Sequence, residues 1–381
     1  MLIDQHCHSV LATGPGPAEP DDETFGSLLT ESDRPPAPGS PRFASAIGLA
    51  VRRWCPPALG LPAHADPADY LARRRELGTE RATRLLLAAA GLTACLVDTG
   101  LTSAAGRPLL PLPDLARASG AEVYEVVRLE SVAERVRAEP ARWPQALAEA
   151  LTAACAGAVA VKSVLAYRHG LDIPPGRPGR AEVVRAAEGW LAGPCERLTD
   201  PVLLRHLLWQ AIELGLPIQL HTGFGDPDLR LHRADPALLA DFVRAVEPSG
   251  VPLVLLHCYP YHRQAAWLAH CYPQVYVDVG LTLSHTGPRA AQVLGEVLEL
   301  APFGKVLFST DAYGLPELFL VGAAQYRHAL ATLLDGWRLD GACTAADAAR
   351  IERQLSAANA RRLYRLSGGT PADTSADIQL L

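Results

Sequence analysis

The sequence predicts a single (β/α)8 barrel with a long insertion after its first strand. Three observations predict it. Eight short apolar runs recur along the chain. Each is apolar on consecutive residues rather than alternate ones, as expected of parallel strands covered on both faces. The stretches between them are rich in Ala, Leu and Arg at helical spacing, and strands alternating with helices in this number suit a closed barrel better than an open sheet.

The eight runs are Leu2-Ile3, Ala94–Asp98, Glu122–Val127, Ala158–Leu165, Leu216–His221, Pro252–His257, Val275–Val279 and Lys305–Thr310. The connections carry helix signals. Asp200-Pro201 offers an N-cap followed by Pro at the first helical position, and the helix it opens stops at Gly215. Asp235-Pro236 opens another, to about Val246. Arg263–His270 and Pro288–Leu300 fill the next two gaps. Two connections are oversized. About 85 residues separate the first two strands. They begin with the Pro/Gly-rich Thr13–Pro41 and continue as helical stretches Ala44–Arg53 and Pro67–Ala90. About 50 residues, including the turn-rich Ile173–Arg180, separate the fourth and fifth strands. The expected organisation is one barrel domain over 1–368, with 13–90 inserted as a loop and helical lid over the mouth, and a flexible tail over 369–381.

Composition narrows the function. The 381 residues are 49% hydrophobic and 20% charged, with a formal net charge of −6. That is too apolar for a disordered chain. Net negative charge without a long Lys/Arg run argues against a nucleic-acid partner, Arg73-Arg74-Arg75 reading as a solvated helix face. No stretch approaches the ~18 consecutive apolar residues of a membrane span. Met1-Leu2-Ile3-Asp4-Gln5-His6 has neither the basic start nor the apolar core of a signal peptide. Eight cysteines in so long a chain are not a disulfide framework. The expectation is a cytoplasmic protein with reduced thiols and a small-molecule substrate. It has no nucleic-acid or membrane partner, and a homodimer is the default by base rate.

His6 and His8 stand at i and i+2 at the end of the first strand, so their side chains point the same way. At the mouth of a barrel they are set to chelate one ion. Lys162 lies in or near the end of the fourth strand, His221 ends the fifth, His257 the sixth, and Asp311 follows the eighth. Each alone has a plain structural reading: a hydrogen-bonded core His, a snorkelling Lys, a helix N-cap Asp. Together they do not. A buried Lys is costly unless its charge is paired or removed, and an ionised Asp after an apolar strand needs a cation. One metal site at the mouth accounts for the whole set.

A second group follows the strands. Arg168 is placed to clamp a substrate carboxylate, beside Tyr167. Asp226 and Asp228 suit a substrate amine, and Tyr261 and Tyr313 suit hydrogen bonding to substrate. Surface salt bridges and loop caps explain these equally well. His262 and His285 also follow strands. Cys7, between the two ligands, should point away from the metal, and Cys258 adjoins His257; both read as small packed residues. Gly223-Phe224-Gly225 is too short for a phosphate loop.

The set His6-Cys7-His8, Lys162, His221, His257 and Asp311 resembles the metal-binding residues of the amidohydrolase superfamily. More specific are Val161–Arg168, His221–Asp226, His257–Tyr261, Ser309–Gly314 and Asn359–Tyr364. These are similar to the amidohydrolase-2 branch, particularly the domain fused to glutamine-synthetase-like domains in some fungal and plant proteins; no such second part is present in this chain. The resemblance implies a TIM-type barrel of the metal-dependent hydrolase kind. It implies one or two divalent metals at the strand ends. His6, His8 and Asp311 would hold the first. Lys162, as a carbamate, would bridge to a second held by His221 and His257. With one metal, His257 is instead an acid/base. Imidazole and carboxylate ligands suit zinc best, with manganese or iron next, over magnesium or calcium.

The chemistry implied is metal-activated water attacking a carbonyl, with Asp311 taking and returning the proton and His257 as ligand or carbonyl polariser. The first reading is hydrolysis of a C–N bond in a small polar molecule, a γ-glutamyl amide being suggested by the relatives alone. The second is decarboxylation of a small unsaturated or aromatic acid. The third is a barrel that binds or regulates without catalysis, against which the complete ligand set argues.

Overall fold

The computed structural model describes residues 1–12, 20–32 and 34–367. The predicted tail and part of the predicted lid, residues 13–19, lie outside them.

All eight predicted runs form strands, and they make one parallel sheet in chain order. They are β1 Ile3–Cys7, β2 Ala94–Asp98, β3 Glu122–Arg128, β4 Ala160–Ser163, β5 Ile218–Thr222, β6 Leu253–His257, β7 Val275–Asp278 and β8 Val306–Leu307. β1, β2, β4, β5 and β6 are buried at every residue, which is why they read as continuous apolar runs rather than alternating ones. The sheet closes on itself between β8 and β1: Gln5 N donates to Phe308 O at 3.0 Å, and Asp311 N donates to His6 O at 3.0 Å. A small antiparallel hairpin, Ser103–Ala104 with Arg107–Pro108, follows β2.

The helices form where capping chemistry starts and stops them. Pro201–Leu214 is the clearest. The Asp200 carboxylate accepts from Val202 N (2.8 Å) and Leu203 N (3.0 Å), and Gly215 ends the helix in the left-handed conformation at φ 71°. Asp200→Ala is expected to destabilise the fold by about 1 kcal/mol, read as a lower urea midpoint at unchanged slope. Asp235 caps the next segment in the same way. Among the helices that the sequence does not mark individually are Gly280–Thr286 after β7 and the 24-residue Pro316–Leu339 after β8. Among the described residues no helix is long and apolar enough to cross a membrane. All eight cysteines are free.

The insertion after β1 divides into two parts. Helices Ala46–Ala58 and Thr79–Ala90 pack on Pro316–Leu339 at the barrel's flank. Pro67–Leu77 is tied to the same helix by a buried cluster in which Glu317 Oε1 accepts from Tyr70 Oη (2.8 Å) and Arg74 Nε (2.7 Å). Ser27, Leu28, Thr30, Glu31 and Ser32, by contrast, form part of the wall of the cavity at the mouth.

The core likewise has two parts. The larger lies between the outer faces of the strands and the helices. The smaller fills the barrel interior with Ile3, Leu96, Val126, Val254 and Leu256, and is plugged from below by Ala360, Leu363 and Tyr364. Asn359 anchors that plug by donating to Phe303 O (2.7 Å) and Val306 O (2.8 Å). With its bottom plugged, the barrel opens only at the C-terminal ends of its strands, where such folds carry their sites.

Candidate metal centre

The residues at those strand ends converge. His6 Nε2 lies 3.0 Å from Asp311 Oδ1, and His8 Nε2 lies 3.5 Å from the same oxygen. His257 Nε2 is 3.5 Å from Asp311 Oδ2. Lys162 Nζ is 3.0 Å from His6 Nε2. His221 stacks at a tilt on His257, ring centroids 4.5 Å apart. One carboxylate thus faces the β1 pair with one oxygen and the β6 histidine with the other. Cys7 points outward, its Sγ against Leu96 O at 3.6 Å. Cys258 is buried in the outer core.

Local structure sets which nitrogen each imidazole presents. His6 Nδ1 donates to Gln219 Oε1 at 2.8 Å, and His8 Nδ1 donates to Asp98 O at 3.1 Å. Each Nε2 is left as a lone pair aimed at the centre. Gln219 is itself held, its Nε2 donating to Gln5 O (2.6 Å) and to the Tyr364 hydroxyl oxygen (3.1 Å). Gln219→Met removes the acceptor that orients His6. It is expected to weaken zinc affinity about 10- to 100-fold, measured by competition with a chromogenic chelator.

The backbone is strained where the candidate ligands emerge. His257, Cys258 and Asp311 adopt φ of 66°, 62° and 51°. These are left-handed conformations that side-chain-bearing residues avoid except where surrounding structure over-determines them, commonly at functional sites. At His257 the neighbouring bond is fixed by Asp278, which accepts from His257 N (3.2 Å) and Gly280 N (3.2 Å). Gly225 serves a different need. A Cβ there would lie 2.1 Å from Tyr167 Oη and 3.0 Å from His221 Nε2, so only glycine lets the tyrosine settle beside the histidine.

Burial sets the electrostatics. It pushes His6 down to about 4 and His257 down to about 3, and takes His221 well below its usual range, the Lys162 charge adding to each effect. In all three, burial favours the neutral imidazole. Burial also lowers Lys162. For Asp311 burial acts against the charge, but His257, His6 and His8 outweigh it and hold the carboxyl well below the ordinary carboxylate range. Among the described residues, His221 Nε2 and both ring nitrogens of His257 are buried with no hydrogen-bond partner. Buried polar atoms without partners are costly. Neutral imidazole nitrogens facing an ionised carboxylate make a cation the partner that fits.

The cavity above this cluster is about 590 Å³. Tyr167 lines it and lies against His221, ring centroids 4.5 Å apart. Asp226 and Tyr313 also line it. Arg168 reaches it but is ion-paired with Glu134 at 2.9 Å. Asp228 is paired with Arg197 at 2.9 Å. Tyr261 sits where the chain turns into helix His262–Cys271 and does not line the cavity. His262 pairs with Glu296 at 2.6 Å, and His285 packs on Phe224; neither lines the cavity. The sequence reading missed Asp98, Arg128 and Glu31. Asp98 ends β2 as His8 nearly ends β1, and Arg128 ends β3, so strand-end position was a usable signal for both. Glu31 carried none.

Three comparisons bear on this geometry. The sequence profile of a family described as amidohydrolase matches residues 56–366. Protein fluG of Emericella nidulans is 34% identical over 229 residues, 56% of this chain and 26% of that protein, so the chain spans about a quarter of its length. Among solved structures, one from Lactobacillus casei described as a metal-dependent hydrolase superposes with a TM-score of 0.83 at 26% identity, covering 96% of this chain and 95% of that one. A uronate isomerase from Bacillus halodurans superposes with a TM-score of 0.64 at 14% identity, over 96% and 93% of the two chains, and shares the fold. With most of its length matched by the family's profile and its strand ends gathering histidine, lysine and aspartate at one mouth, the chain belongs to the amidohydrolase family.

Proposed function

We propose that the chain is a metal-dependent hydrolase of a C–N bond of amide type in a small polar molecule, with a γ-glutamyl amide as the leading candidate. The observation that carries this reading is the convergence of His6, His8 and His257 on the Asp311 carboxylate, with ring nitrogens of His221 and His257 left without hydrogen-bond partners among the described residues, beneath a closed-bottomed cavity. His6, His8 and Asp311 would hold one divalent ion, zinc fitting the donor set best. Lys162, His221 and His257 would hold a second if Lys162 is N-carboxylated, a change that removes a buried ammonium and supplies two anionic oxygens. The metal's contribution is a nucleophilic water near neutral pH and polarisation of the scissile carbonyl.

The chain's own groups do the rest. Asp311, held ionised, takes a proton from the attacking water and passes it to the leaving nitrogen. The C–N bond breaks, giving a carboxylic acid and an amine. His257, its Nε2 3.5 Å from Asp311, would serve as a ligand of the second metal or, with one metal, as an acid/base beside the scissile carbonyl. The closed barrel bottom admits substrate only from the mouth. Nothing among the described residues favours decarboxylation over hydrolysis.

Elemental mass spectrometry on protein from zinc-supplemented cells, purified without chelators, tests this. About two metals per chain are expected, falling to about one in Lys162→Ala, with hydrolysis of an amide panel lost on chelation. Metal-free protein under those conditions, or full amide hydrolysis after stripping, overturns the reading.

A further inference from the structure

The charges lining the cavity do not balance. Three guanidiniums reach it, and each already has a carboxylate of its own. Arg128 pairs with Asp98 at 2.7 Å, Arg168 with Glu134 at 2.9 Å, and Arg197 with Asp228 at 2.9 Å. Lys162 lies at the floor against His6. Glu31 is the exception among the anions. It lines the same cavity and has no ion pair or hydrogen bond among the described residues. The residues outside that set contain no Lys, Arg or His, so no cation of this chain is left to reach it.

Its position is built. Phe25, Leu28 and Leu29, all buried, seat the segment on the protein. Thr30 O accepts from Tyr313 Oη at 3.2 Å, and Tyr313 lies two residues beyond Asp311. The chain that carries Glu31 is therefore fastened to the strand end that carries the metal-centre carboxylate. Asp226 lines the cavity too. Burial, with Asp311 and Asp226 nearby, pushes Glu31 up to about 8. A partly desolvated carboxyl beside other carboxylates is stabilised by an incoming cation and by little else.

We infer that the substrate carries a protonated amine and that Glu31 is the residue that receives it, making Glu31 a specificity determinant of the hydrolase proposed above. The inference rests on that reading only for the reaction; amine binding at the cavity is measurable without turnover. The first probe is 1,5-diaminopentane against 1,5-pentanediol, at matched ionic strength, by calorimetry on the metal-loaded protein. The wild type is expected to bind the diamine and not the diol, and Glu31→Gln to bind the diamine at least about tenfold more weakly. The unliganded melting temperature should be the same for both proteins. Failure of the wild type to bind the diamine, or undiminished binding by Glu31→Gln, overturns the inference.

The second probe is a matched pair of anilides, γ-glutamyl-p-nitroanilide and glutaryl-p-nitroanilide, which differ by one amine. A wild-type preference for the first that collapses through KM in Glu31→Gln supports the inference. A preference that survives the substitution overturns it. Diamine binding without hydrolysis of any amide leaves Glu31 in place and removes the hydrolase reading instead.

Discussion

Asp311→Asn is expected to lower turnover at least about 1,000-fold while most of the metal stays bound. The substitution keeps an oxygen facing the β1 histidines, 3.0 Å from His6 Nε2, and so keeps a neutral ligand in place. What it loses is the ability to accept a proton. The backbone is not a confounding factor. Asp311 sits at φ 51°, and asparagine is among the few residues that tolerate the left-handed region. Asp311→Ala lacks that local compensation and is expected to lose both metal and activity. Metal content and kcat measured on the same preparations separate the two. Near-normal turnover in Asp311→Asn would remove Asp311 from proton transfer.

Arg74→Met is expected to destabilise the fold by about 3–5 kcal/mol, the largest single stability loss anticipated. Glu317 is fully buried and its Oε1 accepts from both Tyr70 and Arg74. Removing the guanidinium leaves a carboxylate without its cation in the seam between the insertion and helix Pro316–Leu339. The cost is chiefly that of the stranded charge, so Arg74→Met combined with Glu317→Leu should recover much of it. Urea denaturation of the two single variants and the double variant measures the coupling. Additive losses would show that the pair does not act as one unit.

The barrel was legible because its strands are buried on both faces, which writes the simplest of patterns into the sequence. The helix Pro201–Leu214 was legible to the residue, because Asp200, Pro201 and Gly215 act locally. The gathering of the candidate ligands was legible for a related reason: parallel strands deliver their last residues to one place, so His6, His8, Lys162, His221, His257 and Asp311 need only lie at or near strand ends to meet. Glu31 was not legible. Its place depends on Tyr313 gripping Thr30 across 283 residues of sequence, and no local pattern encodes such a contact. For Arg168 the sequence leaves clamp and salt bridge equally open, because Glu134, the partner that decides it, lies in a different connection. Gln219 and Tyr364 escaped notice because buried polar partners inside a barrel have no periodicity to reveal them.

The column that runs from Tyr364 through Gln5 and Gln219 to His6 crosses the whole barrel axis. Tyr364 Oη donates to Gln5 Oε1 at 2.5 Å, Gln219 Nε2 donates back to the Tyr364 oxygen, and Gln219 Oε1 receives His6 Nδ1. The turn that carries Tyr364 is thus a foundation stone for His6, a candidate metal ligand at the opposite pole. Shortening the chain to residue 367 should leave the metal centre intact. Shortening it by a few more residues, past Tyr364, should untether His6 without touching the mouth. Proteolytic trimming in storage would then read as gradual loss of metal rather than as loss of protein, and intact-mass measurement alongside metal content would reveal it.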